Sequence, residues 1–320
     1  MKPLVVLILS LPLSAAAAQA PVDLEGKTVQ QWADELNSKE FRQQWHAAYV
    51  LGMLGPRAAE AVPALHDVLD VNSEKNEYAR SMAAWALGRI GPAAEPEIPF
   101  LIETMRTTTL LAVRRSTAEA LGNLGPAAKS AVSELLKMLD NDDDMTRVSA
   151  AVALWKIDRH PKAVPALLEM LRHGGPSQSY AAAAALGQMG PEAEAVAPAL
   201  IEALHAPAGD VRRAAARSLG QLGKAAYPAL SKADALKDPD AETRRMVVEA
   251  LSWMGPDALP ALVLGLKDAS PAVRRAAARA LGNLGAAAQS ARSALETAAS
   301  DPDEDVRAAA GKALQRIHGE

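Results

Sequence analysis

Few residues in this 320-residue chain stand at spacings that support catalysis. "GKT" at Gly26 to Thr28 has the end of a phosphate loop, but the glycine that motif needs five residues before Gly26 is Pro21, and no strand precedes it. Thr28 with Gln31 three residues on is instead a capping box for a first helix. The six histidines (His46, His66, His160, His173, His205, His318) show no short metal-ligand spacing. The acidic run Asp142 to Asp144 lacks the glycine and distal glutamate of a calcium loop and reads as helix-start carboxylates. No catalytic residue, metal or cofactor is expected, and the chain is not expected to be an enzyme. Without a cysteine, thiol and disulfide chemistry are excluded.

The side chains left to do chemistry are arginines and aromatics, and they are ordered. "VRRAAARSLGQLG" (Val211 to Gly223) returns as "VRRAAARALGNLG" (Val273 to Gly285) with two changes. Its leucine recurs at Leu51, Leu87, Leu121, Leu154, Leu186, Leu219, Leu251, Leu281 and Leu314, in steps of 30 to 36 residues. Six and two positions before that leucine, and two after it, lies a ridge of one helix face. It carries Trp45, Tyr49, Trp85, Arg115, Tyr180, Arg213, Arg217, Arg245, Trp253, Arg275 and Arg279, aromatics toward the N-terminal copies and arginines toward the C-terminal ones. These residue types dominate binding hot spots, so the ridge is the candidate partner-binding surface. Two bland roles compete with it: Trp45 and Tyr49 as the cap of the first copy's core, and the arginines as a solvated face whose mutual repulsion needs compensation. Seven before the leucine stands another arginine in seven of nine copies (Arg80, Arg114, Arg147, Arg212, Arg244, Arg274, Arg307). That regularity predicts a structural role, bonding the acidic turn of its own or the next copy.

The elements that must position these residues follow from the same period. Small or apolar residues eight, four, three and one before the leucine, as in Val211, Ala215, Ala216 and Ser218, form the buried face of a helix. "LGMLGP", "LGRIGP", "LGNLGP" and "LGQMGP" stop that helix with glycine and then proline. A shorter helix opens with proline in its first turn, as in "VPALHDVL", "APALIEAL" and "LPALVLGL". Acidic turns such as "DPDAE" and "DPDED" cap the next long helix.

These phrases resemble HEAT-like repeats of the phycobilisome-lyase type, with "DxxVRxxAAxALGxLG" as the core, over about residues 28 to 317. "LWKIDRHP" and Ser179 depart from the pattern in the fourth and fifth copies. The resemblance implies an all-α fold, an α-solenoid superhelix of about nine stacked helix pairs whose leucine-bearing helices line a concave side. The di-iron enzymes built from such repeats, of the deoxyhypusine hydroxylase kind, use His-Glu pairs, and no histidine here is followed by glutamate.

Lys2, the apolar run Leu4 to Leu13 and the small residues up to Ala20 form a secretory signal peptide, residues 1–20, with cleavage after Ala18 or Ala20. Residues 21–320 are then one exported repeat domain, periplasmic or extracellular, without a membrane span. A net charge of −4 argues against nucleic acid. The function expected is a protein-interaction scaffold that binds a protein or peptide partner along the ridge, or alternatively a binder of an anionic or carbohydrate ligand on the same residues.

Overall fold

The computed structural model describes residues 26–70, 77–140, 144–190, 193–232 and 234–318. The signal peptide, its two cleavage positions, Asp142 and Asp143 lie outside the described residues. The protein is an all-α solenoid, its helices arranged as successive pairs. Two compact units divide it, one ending at Ala94 and the other beginning at Glu95.

The first unit holds α1 (Val29–Glu35), α2 (Phe41–Leu54), α3 (Val62–Asp70) and α4 (Glu77–Ile90). The second holds α5 (Ile98–Thr107), α6 (Leu111–Leu124), α7 (Val132–Leu139), α8 (Asp144–Asp158), α9 (Ala163–His173), α10 (Pro176–Leu186), α11 (Ala193–Ala203) and α12 (Gly209–Leu222). It continues with α13 (Tyr227–Lys232), α14 (Ala241–Ser252), α15 (Leu259–Gly265), α16 (Pro271–Leu284), α17 (Arg292–Ala298) and α18 (Glu304–His318). Every even-numbered helix carries one leucine of the repeat. Thr28 accepts from the Gln31 amide and Gln31 from the Thr28 amide, so the expected capping box opens α1.

The leucine-bearing helices bury the face the spacing predicts. Val211, Ala215, Ala216, Ser218, Leu219 and Leu222 of α12 are all buried, and Leu219 is fully so. Removing such side chains from water stabilises the stack by about 1.5–3 kcal/mol for each large apolar residue. The helix ends where the second glycine adopts a backbone closed to residues with a Cβ: φ 57° and ψ −131° at Gly55, φ 59° and ψ −139° at Gly223. A 3-10 turn follows, Gly55–Ala61 in the first copy, and its successor α3 has Pro63 at its second position. The fifth copy corrects the proline rule: α11 begins at Ala193, so Pro198 sits inside the helix and not in its first turn.

The first glycine of the phrase does different work. A Cβ on Gly122 would stand 2.9 Å from the Cα of Ala153, and one on Gly282 2.9 Å from the Cα of Ala313. Backbones of successive long helices therefore meet at this position, an approach only hydrogen permits. The fourth copy departs as its sequence does: Trp155 replaces that glycine and is buried, α8 runs on to Asp158, and the positive φ (56°) falls on Arg159. The Arg159 guanidinium lies 3.5 Å from the Trp155 ring centroid, a cation–π contact that covers the larger side chain.

The arginines seven before the leucine hold the turns. Arg212, Arg244, Arg274 and Arg307 each donate through one terminal nitrogen to two successive backbone carbonyls of the turn that precedes their helix. Arg80 and Arg147 reach the carbonyls of Leu69 and Leu139 at 3.0 Å, and Arg114 that of Thr108. Arg244 and Arg274 use their other two nitrogens for bidentate pairs with Asp268 and Asp301, at 2.7–2.9 Å, in the turn of the next copy. The expected structural role is what these contacts describe. Each arginine satisfies carbonyls at the end of the preceding short helix or in the turn after it, and Arg244 and Arg274 also tie two copies through a planar fork.

Candidate functional site

In the first unit the ridge is an aromatic staircase. Trp45 and Tyr49, one turn apart on α2, are 39% and 40% exposed, so they do not cap the core. That role belongs to Trp32 of α1, which is fully buried edge-on against His46 and has the Lys27 ammonium over its ring. Trp45 and Tyr49 stack with centroids 5.8 Å apart and planes at 8°. Tyr49 stacks on Trp85 of α4 at 5.9 Å and 10°, and Arg89 lies 5.9 Å from the Trp85 ring centroid. Trp85 can lie there because Gly52 offers no Cβ, which would stand 2.3 Å from its ring.

In the second unit the ridge of α12, α14, α16 and α18 forms the floor of three adjoining concavities of about 660, 380 and 410 Å³. They share Arg245, Glu249, Trp253, Arg275, Arg279 and Asn283, so they form one groove across four successive helices. Trp253 is 76% exposed and lies along Gly220 of the preceding copy, the relation Trp85 has to Gly52. Seven arginines and lysines line the groove against one glutamate and one aspartate, in a chain of net charge −4.

The compensation that clustered arginines require is present for some of them. Arg213 pairs with Asp210, Arg245 with both Glu242 and Glu249, and Arg275 with Asp305 of the next copy at 2.7 Å. The Glu242 carboxyl is held below the usual carboxylate range chiefly by its hydrogen bonds from Arg245, whose own pKa is raised by the same contact. Arg217 and Arg279 are exposed and have no acidic or hydrogen-bonding partner among the described residues. Arg115 and Tyr180 stand on α6 and α10, half-buried and 42% exposed, and neither lines the groove. Two further ridge positions, Ser81 and Val148, are buried and belong to the core.

Reading the ridge alone misses the acids that tune it. Asp210, Glu242 and Asp305 all lie nine positions before their leucine, and that recurrence is the signal that points to them. Lys312 and Arg316 also line the groove, with Arg316 donating to Asn283 of the preceding copy at 2.8 Å. Among the described residues no group of three or more metal-holding side chains gathers, and no helix is long and apolar enough to cross a membrane.

No curated protein matches the chain. Among solved structures it is similar to human deoxyhypusine hydroxylase in complex with glycerol, at 23% identity over 91% of this chain and 96% of that one, with a TM-score of 0.36. That neighbour corrects the expectation that the chain is not an enzyme: an enzyme is built from repeats of this kind, so the question of catalysis stays open. HEAT repeats in general mediate protein–protein interaction. The HEAT-repeat family matches residues 29–122, 98–187, 132–220, 176–233, 197–268 and 259–320, together nearly all the described chain, and this protein belongs to that family.

Proposed function

We propose that this protein is an exported interaction scaffold that holds a protein partner along the ridge of its leucine-bearing helices. The observation that carries the reading is the groove from Arg213 to Arg316, where a three-quarters-exposed tryptophan and two uncompensated arginines stand on packed helices, two of which, α14 and α16, are tied to the next copy by arginine forks. A fixed backbone frame lowers the ordering cost of docking, Trp offers a large area with few rotors, and Arg offers directional charged donors, which is the reason such residues concentrate binding energy. The leader directs the chain to the periplasm or the outside of the cell, where the absence of cysteine spares it thiol oxidation and mispaired disulfides. No nucleic-acid partner is proposed, because the chain as a whole repels a phosphate backbone.

Affinity capture from envelope and culture fractions with two baits, the mature chain and the Arg213→Glu/Arg217→Glu variant, tests the proposal. A protein kept by the first and lost by the second supports it, provided both baits have the same helical circular dichroism. Equal capture by both baits refutes it. Mass spectrometry of the mature protein, starting at Gln19 or Pro21, checks export. The second reading, a carbohydrate ligand, draws on the Trp45, Tyr49 and Trp85 staircase, which offers partial ring faces to a sugar. It prevails if glycan arrays are retained and no protein is.

A further inference from the structure

We infer that the occupant of the groove across α12, α14, α16 and α18 is an extended acidic segment whose carboxylates are spaced about six residues apart around a neutral or basic centre. The inference rests on the reading of this groove as a partner-binding surface and names the chemistry of that partner.

Charge complementarity selects the occupant. Arg217 and Arg279 hold the same position, two before the repeat leucine, in copies two steps apart. Both are exposed, both line the groove, and neither has an internal counter-ion among the described residues. Between them, at the equivalent position of the intervening copy, stands Glu249, and its partner Arg245 already bonds Glu242 as well. Arg245 is held by two acids and Arg275 by Asp305, so the centre of the groove offers no free cation. Along its length the groove therefore reads positive, neutralised, positive.

Geometry sets the spacing. Neighbouring helices pack with axes about 8–10 Å apart, so the axes of the helices that carry Arg217 and Arg279 lie about 18 Å apart, and the two guanidiniums are separated by about as much when both side chains project alike. An extended chain advances about 3.3 Å per residue, so two carboxylates that meet both guanidiniums are separated by about five or six residues. A helical segment advances about 1.5 Å per residue and would need about twelve, lying as a rod across the ridge. The residue between the two acids faces Glu249 and the ring of Trp253, which rewards an apolar or cationic side chain and rejects an acidic one.

Fluorescein-labelled dodecapeptides carrying two glutamates two, four, six or eight residues apart, with leucine or lysine midway, titrated into the full chain and read by anisotropy, test this. The spacing of six is expected to bind tightest, at least tenfold tighter than its Gln/Gln version, and a central glutamate is expected to undo that gain. Arg217→Gln with Arg279→Gln is expected to cause the same tenfold loss, whereas Arg57→Gln, an exposed arginine outside the groove, leaves binding unchanged. Both groove arginines are solvent-facing, so an unchanged thermal melt separates lost contact from lost fold. Binding that ignores spacing, tolerates glutamine or is matched by a heparin fragment overturns the inference. If acidic peptides fail while Trp253→Ala still abolishes capture of a protein partner, the groove reading stands and the acidic register falls. If neither variant alters capture, both fall.

Discussion

A Cβ on Gly282 would stand 2.9 Å from the Cα and 3.0 Å from the Cβ of Ala313, both carried by a packed helix that cannot swing aside. Gly282→Ala should therefore cost about 1–3 kcal/mol, the usual range for overpacking, read as a fall in the denaturant midpoint at unchanged slope. Gly220→Ala meets the Trp253 ring at 3.1 Å, and an exposed ring can turn away, so its cost should be clearly smaller. A larger loss at Gly220 than at Gly282 would contradict this account of the helix approach. Leu219→Ala removes a fully buried side chain and should cost about 2–5 kcal/mol, and an unchanged melt would deny that this face is core. The second glycine of each phrase was legible in the sequence because stopping a helix is a local act. The first was not, since its partner lies some thirty residues on and only the packed pair shows why hydrogen is needed there.

Between residue and molecule stand the helix ends, and here the arginine forks make a prediction about pH. Asp268 and Asp301 have carboxyls held below the ordinary aspartate range by hydrogen bonds from Arg244 and Arg274. A carboxyl whose folded pKa is depressed contributes stability that is fully present above the unfolded value, about 3.9, and is lost as pH falls through the folded value. Arg244→Met and Arg274→Met should each cost about 1.5–3 kcal/mol near pH 7, because turn carbonyls and a carboxylate lose their charged donor. The gap between wild type and variant should narrow as pH falls from about 5 toward 2, leaving the part that rests on the turn carbonyls. A gap that stays constant over that window would mean the carboxylate pairs contribute nothing beyond packing and the carbonyl bonds. At this scale much was legible: recurrence seven before the leucine announced a structural arginine, and the acidic turns announced its partner. The ridge was only partly so. Glu242 and Glu249 stand three and four positions from Arg245 on α14, within reach of a helical wheel, whereas the pair of Arg275 with Asp305 spans thirty residues and shows only in the packed stack.

Within the second unit each long helix buries its face against the long helices before and after it, α14 against α12 and α16, while the short helices fill the other side. No pair in such a stack can close its own core, so stability is a sum of terms for single copies and for neighbours. The period that revealed the copies therefore also fixes how damage spreads, and the sequence showed one place where the stack is irregular, "LWKIDRHP", but not how Trp155 packs in place of a contact glycine, buried and covered by Arg159. Leu251→Ala, which empties a site 2% exposed on α14, tests the neighbour rule at the scale of the whole stack. Hydrogen exchange read by mass spectrometry should rise most in α14, next in α12 and α16, and little in α6, because opening free energy is lost where the cavity and its immediate partners lie. Equal acceleration from α6 to α18 would show instead that the unit opens as one block, and the groove would then be held by cooperativity of the whole stack and not by the forks between adjacent copies.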